Sequence, residues 1–218
     1  MSRYAANLSF LLRKHGVDPA KLSVQLNVKD LAHPHPDLLP LIAEQFSVTT
    51  DLLLKTDLEL REAQRAKDIK LVIFDIDGVF TDAGIYYTEN GDELKKFNAK
   101  DGLGVRQLKQ RGIHSGIISH GYSTGLIQRR AERLHIDHVE VSQAPKKETL
   151  AKWCAKLNIS FENVCFIGDD INDEDIIRVA GFSACPADAT DAVKEMVHVV
   201  LTKGGGKGCV RELIDLYL

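Results

Sequence analysis

A short apolar run, Leu71-Val72-Ile73-Phe74, stops abruptly at Asp75-Ile76-Asp77-Gly78. Continuous β-branched and aromatic residues read as a strand buried on both faces, which is the pattern of a parallel sheet rather than a half-solvated one. Ligands of open α/β sheets bind outside the carboxyl ends of such strands. Asp75 and Asp77 stand at that end, two residues apart and on one side of an extended chain. Gly78 lets the backbone turn away tightly. Two carboxylates this close repel, so either a divalent cation offsets them or they sit solvated in a turn. Their partners further along the chain favour the cation.

From Ile69 onward the chain alternates strands and helices. Core strands are expected at 69–75, 113–118, 139–141, 164–167, 181–185 and 197–201. Helices are expected at 101–110, 123–134, 146–157, 173–180, 191–196 and 209–216. A hairpin is expected at 84–97, with Asn90-Gly91 as its turn signal. Gly204-Gly205-Gly206-Lys207-Gly208 reads as a flexible loop. The alternation implies an α/β fold, a doubly wound and mostly parallel sheet with helices on both faces. With 218 residues there is room for one such core and a small appendage.

The appendage is residues 1–67, which carry helical periodicity and no strand signal. Leu8, Leu11 and Leu12 mark a first helix ending at Gly16, and Asp18-Pro19 opens a second with Leu22 and Leu26 inward. Leu38, Leu39, Leu41, Ile42 and Phe46 mark a third. Thr49 or Thr50 caps a fourth with Leu52, Leu53 and Leu54 inward, and a charged connector follows at 59–67. The division expected is thus 1–67, small and all-α, and 68–218, α/β. Asn7–Gly16, Leu22–Val28 and Leu38–Leu54 resemble the helix-turn-helix domain of Cro/repressor-type regulators. Where that family has its recognition helix, this chain has Lys29-Asp30-Leu31-Ala32 and then His33-Pro34-His35-Pro36. Without a helix for the major groove, and with acids and bases balanced, specific DNA binding is not expected. The His-Pro repeat reads as a solvated loop, not a metal site.

Net charge is −3, so no general basic field points to nucleic acid. No apolar run approaches the roughly 18 residues of a membrane span. The four cysteines, Cys154, Cys165, Cys185 and Cys209, are scattered. They read as reduced and buried, which with the lack of a signal-peptide core gives a cytoplasmic expectation.

Four groups fall at or near the ends of core strands: Asp75/Asp77, Ser119, Lys146 with Lys147, and Gly168-Asp169-Asp170-Ile171-Asn172-Asp173. Acids for a metal, a hydroxyl and a cation, converging on one crevice, describe phosphoryl transfer. Residues 69–218 resemble the haloacid dehalogenase-type phosphatases, in particular the capless branch that includes the 3-deoxy-D-manno-octulosonate 8-phosphate phosphatases. Four segments carry the resemblance: Asp75 to Asp82, Phe97 to Gly104, Gly168-Asp169-Asp170, and Gly205 to Glu212. It implies Asp75 as nucleophile, Asp77 as general acid and base, and Ser119 and Lys146 as contacts to the phosphoryl group. It implies Mg²⁺ held by Asp75, Asp169 and the Asp77 backbone carbonyl, with Asp170 and Asp173 orienting Lys146 and metal-bound water. Spacing to Gly168 selects Lys146 over Lys147.

The family usually has Thr-Gly-Arg where this chain has Ser119-His120-Gly121, so the hydroxyl survives and the arginine does not. Gly121 is placed at the substrate, and His120 either contacts substrate or faces solvent. No cap domain fits between Asp82 and Ser119. The resemblance therefore implies a homotetramer in which a neighbour covers the crevice. Lys100, Lys207 and Arg211 then either meet an acidic sugar or are solvated charge. The function expected is a Mg²⁺-dependent phosphomonoesterase for 3-deoxy-octulosonate 8-phosphate or a sialic-acid-type nonulosonate 9-phosphate. The alternatives are a phosphatase for another phosphomonoester, a DNA-binding regulator with a phosphatase-like effector domain, and a non-catalytic assembly module.

Overall fold

The computed structural model describes residues 2–65, 67–121 and 124–218. The chain forms two compact units, 1–66 and 67–218.

In the first unit, α1 (Arg3–His15) begins at the Ser2 cap and ends at Gly16 in the left-handed conformation. It is followed by α2 (Pro19–Gln25), α3 (Leu39–Gln45), α4 (Thr50–Lys55) and α5 (Leu58–Arg65). Leu8, Leu11, Leu22, Ile42, Phe46 and Leu53 share one core. A buried asparagine stitches the unit together. The Asn7 side chain donates to the carbonyls of Leu53 and Thr56 and accepts from the Leu58 N–H, so it satisfies the turn between α4 and α5. Leu54, expected inward, is exposed at 37%, and Leu41, one of the residues marking α3, at 48%. Neighbouring helical residues point about 100° apart, so an unbroken leucine run cannot all face one core. Among the described residues no α-helix lies between Gln25 and Leu39, only a 3-10 turn at Pro36–Leu38. His33 and His35 are exposed there, beside Asp30 and Asp37.

The second unit holds a six-stranded parallel sheet in the order β5-β4-β1-β6-β7-β8. Its strands are β1 (Leu71–Phe74), β4 (His114–Ser119), β5 (His138–Val141), β6 (Val164–Ile167), β7 (Phe182–Cys185) and β8 (Val199–Val200). The chain winds outward from β1 through β4 to β5, then crosses back to β6 and winds the other way. The switch point is therefore at β1, between β4 and β6. Phe74 stands level with Ile117 on one side and Ile167 on the other, which sets Asp75 beside the ends of both neighbours. The Asp75 N–H continues the ladder by donating to the Ile167 carbonyl at 3.0 Å.

The sheet is flanked by helices. Leu71, Ile73 and Phe166 pack with Leu150 and Cys154 of α8 (Lys146–Leu157), Ile176 and Ile177 of α9 (Glu174–Ile177) and Val193 of α10 (Asp191–Met196). Val72 and Phe74, out of phase by one residue, are equally buried on the other face. Helices α6 (Ala99–Gln110) and α11 (Cys209–Tyr217) pack on each other, and α7 (Thr124–Leu134) packs on α6. The expected first residue of α7, Ser123, lies outside the described residues. A two-stranded hairpin, β2 (Tyr86–Tyr87) and β3 (Glu93–Leu94), branches off after β1. The expected long helix after Gly168 is shorter than its pattern, a 3-10 turn at Ile171–Asp173 and then α9.

Two sequence readings are corrected here. Asp101 does not start α6. Asn98 caps that helix, and Asp101 turns inward, fully buried, to accept the Arg211 N–H at 2.8 Å. The 204–208 segment is not a flexible loop. Gly204 and Gly205 are buried, and the Gly206 N–H donates to the Val79 carbonyl at 2.9 Å. A Cβ on Gly205 would fall 2.0 Å from the Gly78 carbonyl oxygen. Gly205 and Gly206 are set by close backbone contact with the loop after β1, and Gly204 by the Asp188 side chain.

Asp101→Ala strands a buried N–H at the head of α11. It should lower unfolding free energy by about 1–3 kcal/mol with an unchanged urea m-value. Urea unfolding followed by circular dichroism reads both.

Candidate active site

At the carboxyl ends of β1, β4 and β6 lies a cleft of about 360 Å³. Asp75 and Asp77 are at its base, Ser119, His120 and Gly121 form one wall, and Ala83, Ile85, Tyr87, Glu93 and Lys95 form the other. Asn172 borders it.

Behind the cleft lies a cluster of charge. Carboxylate oxygens of Asp75, Asp169 and Asp173 all come within 4.8 Å of one another. Lys146, fully buried, sits among them with its Nζ 2.9 Å from Asp75 Oδ1 and hydrogen-bonded to Asp173. Lys147 is exposed and meets Asp175 through its backbone N–H instead. The two glycines of the motifs are there to admit these acids. A Cβ on Gly78 would lie 1.9 Å from Asp169 Oδ2, and one on Gly168 would lie 2.1 Å from Asp173 Oδ2. Gly78 also has φ +79°, which L side chains rarely adopt. Asp173 is tied down a second time, accepting the Asp169 N–H at 3.0 Å.

Burial pushes Asp75 up, to about 7, against the pull of Lys146. Burial, then the charges of Asp75 and Asp173, pushes Asp169 up to about 8. Burial acts to lower Lys146, but Asp75 and Asp173 outweigh it and hold the ammonium charged. Burial and mutual repulsion make all three carboxylates costly to ionise together beside one ammonium; fully ionised they leave two negative charges uncompensated, the charge one divalent cation would offset. Oxygen ligands of this kind suit Mg²⁺. The donor set thus fits a divalent ion.

The remaining predicted residues fall as follows. Ser119 is 1% exposed, and its Oγ accepts the Gly121 N–H at 3.1 Å, leaving its own proton free to donate. Gly121 borders Ser119 and Asp77. The Asp77 side chain stands outside the carboxylate cluster and reaches Thr81 and Lys95. Asp173 touches Lys146 as expected, but Asp170 does not. It is exposed and accepts its neighbour Ile171's N–H at 2.7 Å, because the strand-to-helix turn needs a cap there. Lys100, Lys207 and Arg211 do not line the cleft. Lys207 lies 3.7 Å from Asp188, and Arg211 Nε donates to Asp215 at 2.7 Å. Lys100 is exposed near the head of α6. His120 lines the cleft as a bridge. Its Nε2 is 3.0 Å from the Ala144 carbonyl, which can only accept, so Nε2 carries the proton and Nδ1 accepts from Asn172 at 3.4 Å. Lys95 and Glu93 escaped the sequence reading. Their signal was the alternation Glu93-Leu94-Lys95, which sets both charges on one face of β3 and its extension.

Residues 126–213 match the model of the haloacid dehalogenase-like hydrolases. The 3-deoxy-D-manno-octulosonate 8-phosphate phosphatase of Yersinia pestis is 39% identical over 155 residues, 71% of this chain and 82% of that protein. That of Escherichia coli K12 is 38% identical over 154 residues, 71% of this chain and 81% of that protein. The chain belongs to the haloacid dehalogenase-like hydrolases, as a phosphatase. Among solved structures, the Moraxella catarrhalis 3-deoxy-D-manno-octulosonate 8-phosphate phosphatase, in complex with magnesium, phosphate and KDO, superposes on this phosphatase with TM-score 0.69 and 36% identity. That match covers 73% of this chain and 90% of the other. The cobalt-bound Haemophilus influenzae enzyme gives 0.66 and 33%, covering 73% and 90%.

Gly78→Ala forces Asp169 away from Asp75. It should weaken divalent-cation binding by about 10–100-fold, read by isothermal titration with Mg²⁺, while the circular dichroism spectrum is retained.

Proposed function

We propose that this phosphatase hydrolyses a phosphorylated acidic sugar, 3-deoxy-octulosonate 8-phosphate or a nonulosonate 9-phosphate, through an aspartyl-phosphate intermediate. The observation that carries the chemistry is Asp75, buried at the switch point, facing the cleft and held by Lys146. Asp75 attacks phosphorus, and the bond from phosphorus to the sugar oxygen breaks. Asp77, the more exposed carboxyl, gives its proton to the departing oxygen. It then takes a proton from water as that water attacks the phosphoryl group and frees Asp75. Lys146 supplies positive charge close to the nucleophile, and the Ser119 hydroxyl is free to donate to a phosphoryl oxygen. Asp75, Asp169 and the Asp77 carbonyl would hold Mg²⁺, which when bound offsets the negative charge of the phosphate.

The acidic sugar is supported by the relatives' named substrate, and by three basic residues that lie outside their own cleft. Lys100, Lys207 and Arg211 reach a substrate only if a neighbouring subunit carries them, as in a homotetramer. The hairpin supports assembly, since Ile85, Tyr86, Tyr87 and Leu94 are all large, apolar and exposed on it. Residues 68–218 then act as the catalytic domain and 1–67 as an assembly domain. Among the described residues no α-helix lies between Gln25 and Leu39 to enter a groove, which speaks against specific DNA recognition. A second reading, a different phosphomonoester, is favoured by one feature, the absence of an arginine at Ser119-His120-Gly121.

Asp75→Asn should fold as the parent does and lose phosphate release at least about 10³-fold, since an amide cannot form the acyl phosphate. EDTA should silence the parent and Mg²⁺ restore it, in a phosphate-release screen of ulosonate and hexose phosphates. Hydrolysis of hexose phosphates but not of ulosonate phosphates would move the reading to another substrate.

Sedimentation should give a tetramer, and Arg211→Ala should raise KM for the acidic sugar phosphate without lowering kcat. A fully active monomer removes the shared site.

A further inference from the structure

Asp77 is held asymmetrically. Lys95 Nζ lies 2.5 Å from Asp77 Oδ1, and Thr81 Oγ1 reaches the same oxygen at 3.4 Å. The other oxygen faces the opposite wall, where a Cβ on Gly121 would lie 3.4 Å from Asp77 Oδ2. Lys95 is itself braced, its Nζ 2.7 Å from Glu93 Oε1. Its side chain is only 4% exposed, against 41% for Asp77. A lysine normally keeps its ammonium in water, and burying one at the rim of a polar cleft is costly unless it is paired.

We propose that Lys95 is the positioning residue of the acid–base step. It pins Oδ1 of Asp77, so that Oδ2 alone carries the proton toward the Ser119–Gly121 side, where the leaving oxygen must lie. A carboxyl free to rotate offers either oxygen in many directions, and fixing one removes that freedom from the barrier. The lysine comes from the extension of β3, so the hairpin that walls the cleft also aims its acid. Glu93, two residues earlier on the same face, keeps the ammonium from leaving Asp77. This inference rests on the reading of Asp77 as the acid.

The test compares two leaving groups. A sugar alkoxide needs a proton to depart, whereas p-nitrophenolate does not. kcat/KM reports the steps up to departure of the leaving group. Lys95→Met should lower kcat/KM for 3-deoxy-D-manno-octulosonate 8-phosphate by about 10–100-fold, and for p-nitrophenyl phosphate by no more than about threefold. Lys95→Cys treated with 2-bromoethylamine rebuilds an ammonium of the same reach, and should recover the sugar-phosphate rate. The four native cysteines are buried and shielded from the reagent. Equal losses on both substrates, or no loss on either, would overturn the proposal. So would failure of the rebuilt ammonium to restore the rate. Asp77→Asn run in parallel separates the two readings. If it shows the leaving-group difference and Lys95→Met does not, only the positioning role falls. If Asp77→Asn shows none, the acid assignment falls with it.

Discussion

The structure turns on an electrostatic imbalance placed at the centre of a parallel sheet. Buried Asp75 and Asp173 close on buried Lys146, with half-buried Asp169 beside them. Burying a lysine with two acids and part of a third is expensive, and replacing such sets with apolar residues often stabilises a protein. This set fits the chemistry because its acids, once ionised, would hold a divalent cation, and that cation would supply positive charge for a phosphate. The surrounding backbone is shaped to allow this. Gly78 and Gly168 are glycines because a methyl group at either would occupy the place of a carboxylate. Motif residues often described by their chemistry are here dictated by volume.

The sheet order explains why so few residues suffice. β1 lies between β4 and β6, and the crossover reverses direction there. Loops on either side diverge and leave a crevice above Asp75. The hairpin supplies one wall and the Ser119–Gly121 turn the other. The His120 ring links that turn to the Ala144 carbonyl, two residues before Lys146, and to Asn172. The wall, the approach to the buried lysine and the acid loop are thereby held in fixed relation.

Much of this was legible in the sequence, for identifiable reasons. Buried parallel strands announce themselves by unbroken apolar runs, and β6 at Val164–Ile167 falls where its pattern places it. Helix α8 does likewise, because its periodicity is clean and Asn158 closes it in the left-handed conformation. Legibility failed where tertiary contact overrides local rule. Asp101 looks like a cap and is instead a buried acceptor for another helix. The glycines after Lys203 look like slack, because a sequence shows the missing side chains but not the backbone pressed against them. Asp170 and Asp173 share a motif, and only the fold decides that one meets Lys146 while the other closes a turn. Lys95 was hidden because one of two adjacent lysines in a charged hairpin looks like surface.

The docking of the 204–206 segment on the loop after β1 bears on how the enzyme is made. Cys209 Sγ donates to the Val79 carbonyl across 130 positions of sequence, and Gly206 meets the same carbonyl. Asp75 is synthesised early in its unit, but the brace that shapes its loop emerges from the ribosome much later. Contacts this distant in sequence form late, since a long loop must first be closed. A growing chain therefore carries its acids for most of its synthesis without the geometry to use them.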